Sequence, residues 1–176
     1  GLHELATSEA LRFHRYFAPL RVPTLYDPGP VATLLAIGAG FDMAGEQAFL
    51  KQQTVERPED PYPWYQLALT AIETSPQLAL ERFDDFMVRW EQGKLKPKPR
   101  EQGLRASALY KLGFLAMDFQ QDLPKAVGYY TKLKSVSPHY AEVDANLAVA
   151  HARMAEKETT GPKRIALLEK AMAYAQ

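Results

Sequence analysis

The sequence predicts an all-α fold of helical hairpins with one extra helix at the N-terminus. Three observations carry that prediction. Val, Ile and Thr are sparse, and no long apolar/polar alternation bounded by Gly-Asn turns is present. Proline and glycine cluster between helical segments and do not interrupt them. From Val31 onward the segments so delimited follow one another in pairs.

SEALRFHRYF, Ser8 to Phe17, opens the chain as a helix capped by Thr7 or Ser8. Ala18 to Pro30 holds Pro19, Pro23, Pro28 and Pro30, which forbid a helix interior and make an extended linker. Residues 1–30 therefore form a helix and linker, and residues 31–176 the main helical domain. Val31 to about Gly40 reads as one helix and Asp42 or Ala44 to about Glu56 as the next. RPEDPYP, Arg57 to Pro63, breaks the chain, and a helix runs from Tyr62 to about Thr74. Ser75-Pro76 starts another, with serine as N-cap and proline in the first turn, and it ends near Glu91. The loop QGKLKPKPRE follows. Helices are then expected from Glu101 to Phe119, Leu123 to Ser135, Tyr140 to Lys157, and from Gly161-Pro162 to the end.

Composition narrows the function. Lys+Arg and Asp+Glu number 21 each, so the formal net charge is zero. A dedicated nucleic-acid binder or a polybasic membrane anchor carries a basic excess, which is lacking here. There is no cysteine, which excludes disulfides, zinc knuckles and thiol nucleophiles and fits cytosol or periplasm equally. The longest nearly apolar run, Val31 to Phe41, is far short of the ~20 residues of a spanning helix. No signal-peptide pattern opens the chain. It begins at Gly1, not Met, which reads as a trimmed or tagged start, possible for part of a larger protein.

The paired rhythm calls for a repeat test. Leu109-x2-Leu112-Gly113, then Ala126-x3-Tyr130, then Pro138 form one unit. Trp64-x2-Leu67-Ala68 followed by Ala79-x3-Phe83 forms another. Leu34-x2-Ile37-Gly38 with Ala48 and Pro58, and Leu147-Ala148 with Ala166, Leu168 and Ala171, repeat the theme. The anchors Ile37, Leu67, Leu112 and Leu147 lie 30, 45 and 35 residues apart. This pattern resembles the tetratricopeptide repeat, W-x2-L-G-x2-Y, A-x3-F and P over ~34 residues. It departs from the repeat at Ala116, where tyrosine is usual, and at Lys170, where an aromatic is usual. The small residues Gly113 and Ala126 let paired helices approach, while Leu112 and Tyr130 fill the space around them. The resemblance implies a helix-hairpin solenoid of about three to four pairs spanning Val31 to Gln176.

It also implies a surface. In that family the first helix of each pair lines a concave face. Carried over by position, the lining is Tyr62, Tyr65, Gln66, Leu69 and Ile72, then Tyr110, Lys111, Phe114 and Met117, then Asn146, Val149 and Arg153. An aromatic and apolar lining of this type suits a partner's peptide or subunit. The family's chaperone-tail clamp of Lys, Asn and Arg is mostly missing. Asn146 occupies one clamp position, with Lys111 and Arg153 near it, but Tyr110 and Phe114 replace the expected Lys and Asn. Each aromatic on these stripes has inter-helix packing as its alternative role. Terminal repeats need polar caps. The last helix suits one, with Ile165, Leu168 and Met172 on one face and Lys163, Glu169 and Lys170 on the other. The alternative is that its exposed face docks onto another part of a longer protein. The helix from Ser8 would cap the other end or fold back into the groove.

No catalytic, cofactor or metal motif stands out. His3, His14, His139 and His151 are isolated, each reading as a satisfied or exposed histidine. Gly38, Gly40 and Gly45 lack phosphate-loop spacing. Asp84 and Asp85 are adjacent, so their side chains diverge on a helix. The expectation is a non-enzymatic interaction module. The loop KLKPKPR, Lys94 to Arg100, reads as a solvated connector. Its alternative is contact with an acidic partner, phospholipid or nucleic acid. A further alternative is a subunit of an enzyme complex whose site lies elsewhere.

Overall fold

A computed structural model describes residues 43–72, 74–140 and 142–175. Among them are seven α-helices and no strand: α1 (Met43–Glu56), α2 (Pro61–Leu69), α3 (Pro76–Glu91), α4 (Gly103–Phe114), α5 (Leu123–Val136), α6 (Val143–Lys157) and α7 (Gly161–Tyr174). A 3-10 turn, Pro99–Glu101, precedes α4, and a wider π turn, Leu115–Phe119, continues it. The chain divides into two compact units between Arg105 and Ala106. The helix expected at Ser8, the linker to Pro30 and the helix expected at Val31 lie outside the described residues.

In the first unit α2 packs against both α1 and α3. Asp60 caps α2, its carboxylate accepting from the Tyr62 amide at 3.0 Å, and Pro61 takes the first turn. The helix expected to run to Thr74 stops at Leu69. The reason is hydrogen bonding: Ala71 and Ile72 donate to carbonyls three residues back, which tightens the chain out of the α form. The Leu67 carbonyl, at this helix end, accepts from Thr70 Oγ1 at 3.1 Å and from Arg82 Nη1 of α3 at 2.7 Å. The guanidinium thus satisfies a terminal carbonyl and complements the helix dipole. Ser75 caps α3 as expected, accepting from Leu78 N at 3.4 Å. Leu80, Phe83 and Phe86 of α3 are buried, with Tyr65 of α2 edge-on to both phenylalanine rings at 5.8 and 5.9 Å.

In the second unit α5 packs against the π turn and α6, and α6 packs against α7. Leu109, Leu112 and Ala116 form one buried stripe, and Ala126, Tyr130 and Leu133 another. They meet at Gly113. A Cβ there would lie 2.6 Å from Tyr130 Cε1, so only glycine admits the ring this close. Asp122 caps α5, accepting from Lys125 N at 3.0 Å. The helix expected from Tyr140 begins instead at Val143, after turns in which Tyr140 donates to Ser137 and Val143 to Tyr140.

The orientation of α7 corrects the expectation for its faces. Ile165, Leu168 and Met172 are exposed, whereas Ala171 is buried and Leu167 and Tyr174 are half-buried. Residues 167, 171 and 174 share a stripe at helical spacing. Tyr174 stacks on the His151 ring of α6, with centroids 5.8 Å apart and planes 2° from parallel. Among the described residues no helix is long and apolar enough to cross a membrane.

Candidate functional site

The predicted lining separates into core and surface. In the first unit Tyr65, Gln66 and Leu69 are buried, and Tyr62 and Ile72 are half-buried. Tyr65 is spent on the Phe83 and Phe86 contacts. Gln66 is 1% exposed, and its side-chain amide has no hydrogen-bond partner among the described residues. Met117 in the second unit is also buried. These four side chains offer packing and no open surface.

Except for Lys111, the other predicted residues of the second unit lie on two facing stripes. Tyr110, Phe114 and Asp118 are spaced by four along α4 and the π turn, which puts them on one face. Glu142, Asn146, Val149 and Arg153 share a face at α6 in the same way. The stripes are tied at both ends. Tyr110 Oη donates to Glu142 Oε2, and Arg153 Nη1 donates to Asp118 Oδ1 at 2.7 Å. The ties occur in the same order along both segments, so the two run in the same direction.

Between the ties stand Phe114 and Val149, 42% and 41% exposed. These are large apolar side chains in water, a few residues from either polar tie. Lys111 and Asn146 are half-buried beside them. Tyr110 is braced from behind, edge-on to the buried Tyr130 ring at 6.2 Å and stacked on Tyr140 at 5.3 Å. Burial pushes the Tyr130 phenol well above its ordinary range, helped by the neighbouring acidic groups, the Tyr110 phenol and the carboxylates of Asp118 and Glu142, so it stays protonated.

Asp118 and Glu142, which make the ties, were not among the expected residues, nor was Tyr140, which stacks on Tyr110. Spacing alone reaches the first two, because residue 118 extends the 110–114 stripe and residue 142 extends the 146–149–153 stripe. This face has an apolar centre, Phe114 and Val149, and a charged rim, Glu142, Asp118 and Arg153. Among the described residues no three potential metal ligands converge. No family model, curated protein or solved structure matches this chain. The tetratricopeptide resemblance rests on its residues alone.

Proposed function

We propose that this chain is a non-enzymatic interaction module, a tetratricopeptide-like array of helical hairpins that binds a partner's peptide or subunit. The face carrying Phe114 and Val149 takes the partner. The single observation behind this reading is that pair of exposed apolar side chains, held between the Tyr110–Glu142 and Asp118–Arg153 ties. Binding energy concentrates in desolvated anchors of this type, while a polar rim fixes orientation. The ties hold the two segments in place before the partner arrives, which lowers the ordering cost of binding.

A peptide-display selection on the full chain tests the reading. The expected outcome is a family of peptides with an aromatic or aliphatic anchor. Their affinity should fall about tenfold or more in Phe114→Ala or Val149→Asp. Val88→Asp, at an exposed position of α3, should bind as the parent does. Selected peptides that bind the Phe114 and Val149 variants unchanged would sink the proposal.

A further inference from the structure

The connector between α3 and α4 is more tightly held than its composition suggests. Gly93 takes φ +66, and the Lys94 amide returns to the Arg89 carbonyl at 2.9 Å, closing the end of α3. Leu95 is buried, 4% exposed. The Lys96 amide donates to the Glu59 carbonyl at 2.7 Å. The Lys98 amide donates to Oε2 of the buried Glu101 at 2.8 Å. Pro97 and Pro99 have no amide to give. The amide donors at Lys94, Lys96 and Lys98 are therefore spent inside the protein. What the segment presents is side chains.

Those side chains alternate. Leu95 and Pro97 turn inward, while Lys94, Lys96 and Lys98 are exposed, followed by exposed Arg100. None of the three lysines makes an ion pair among the described residues, and Arg100 reaches Glu101 only at 3.8 Å. An extended backbone advances ~3.1–3.4 Å per residue, so successive lysines stand ~6–7 Å apart along the chain. Like charges at that spacing repel, and the pinned backbone holds them there.

We propose that Lys94, Lys96 and Lys98 form a binding ladder for an extended acidic peptide with carboxylates on alternate residues. Such a peptide repeats its charges at ~6–7 Å, matching the ladder rung for rung. Single-stranded nucleic acid has the charge but also needs aromatic platforms for its bases. The connector contains no aromatic residue, and the nearby Trp64 ring is covered by Arg89, whose guanidinium carbon lies 3.7 Å from the ring centroid. The zero net charge also supplies no wider basic field for a polyanion.

Fluorescence anisotropy on the full chain tests this with two labelled octapeptides of equal composition, one alternating Glu and Ser, the other carrying four Glu in a block. The alternating peptide should bind more tightly, and weaken about tenfold or more when Lys94, Lys96 and Lys98 are all changed to Gln. Raising salt from about 50 to about 500 mM should weaken it similarly. Leu95→Ala keeps every charge but releases the anchor. It should erode the preference for the alternating peptide, with circular dichroism confirming an intact fold. No binding, equal binding of both peptides, an unaffected triple variant, or equal or tighter binding of an oligodeoxythymidine would each overturn the proposal.

Discussion

Gly113 and Tyr130 show how one residue pair sets the distance between two helices. An added methyl at residue 113 would meet three ring carbons of Tyr130 at 2.6–2.9 Å. Gly→Ala within a helix ordinarily gains ~0.5–1 kcal/mol. Overpacking costs ~1–3 kcal/mol and outweighs that gain here. Gly113→Ala should lower the urea midpoint of unfolding. Gly128→Ala, in α5 with nothing within 4 Å of where the new methyl would stand, should raise it. Equal shifts of the same sign would show that the ring yields freely. Tyr130 offers a second check. Its hydroxyl is buried with no hydrogen-bond partner among the described residues, so it contributes desolvation cost and no compensating bond. Tyr130→Phe should change stability by less than ~1 kcal/mol in either direction, or stabilise. A loss above ~1.5 kcal/mol, measured by the same titration, would reveal a partner for the hydroxyl.

Helix ends were partly legible because capping chemistry is local. Ser75-Pro76 reads as a start from two residues, and α3 starts there. The early stop of α2 was not legible, since it depends on Thr70 and Arg82 reaching the Leu67 carbonyl, one of them from another helix. Nor did any residue type mark the π turn, which arises when Gln120 bonds five residues back to Leu115. The faces of α7 were misread for a related reason. Two apolar stripes lie on that helix, and the one turned inward is the less hydrophobic, carrying the Tyr174 ring that stacks on His151.

The burial of His151 in that stack should make the α6–α7 pair sensitive to acid. His151 is buried with Nδ1 unpartnered among the described residues, and burial, then the charge of Lys170, lowers its pKa below the ordinary 6.5. Lys134, near the Tyr174 ring, is itself paired with Asp144 at 2.5 Å. Above pH 6.5 the imidazole is neutral in both folded and unfolded chains, and the stack's stability is complete. Below 6.5 the unfolded chain takes up a proton that the folded chain refuses. Stability therefore falls from 6.5 downward, until the lowered folded pKa is passed. Urea midpoints taken at pH 7 and about pH 5.5 should differ less in His151→Gln than in the parent. An identical pH slope in both proteins would remove His151 as the cause.

At the scale of the whole molecule, the all-α class was readable from periodicity and punctuation, because both act over many residues at once. The division of candidate residues into core and surface was not. Tyr65 and Tyr110 occupy equivalent places in the repeat pattern, yet Tyr65 is buried and Tyr110 is half-buried beside a partner carboxylate. A stripe on a helix has no label for which neighbour will cover it. Burial depends on tertiary context such as Phe83 and Phe86, which a local pattern does not report.

The anchored connector also bears on how the chain meets a protease. Four basic residues in seven make Lys94 to Arg100 the obvious place for trypsin to cut. Two of those sites, Lys96-Pro97 and Lys98-Pro99, precede proline and are poor substrates. The other two, Lys94-Leu95 and Arg100-Glu101, lead directly into buried side chains. Cleavage needs a local length of backbone drawn out into the enzyme's cleft, and the bonds at Lys94, Lys96 and Lys98 oppose that. In limited digestion followed by mass spectrometry, this stretch should outlast other exposed basic sites. The same prolines and anchors that space its charges leave the two halves of the polypeptide joined.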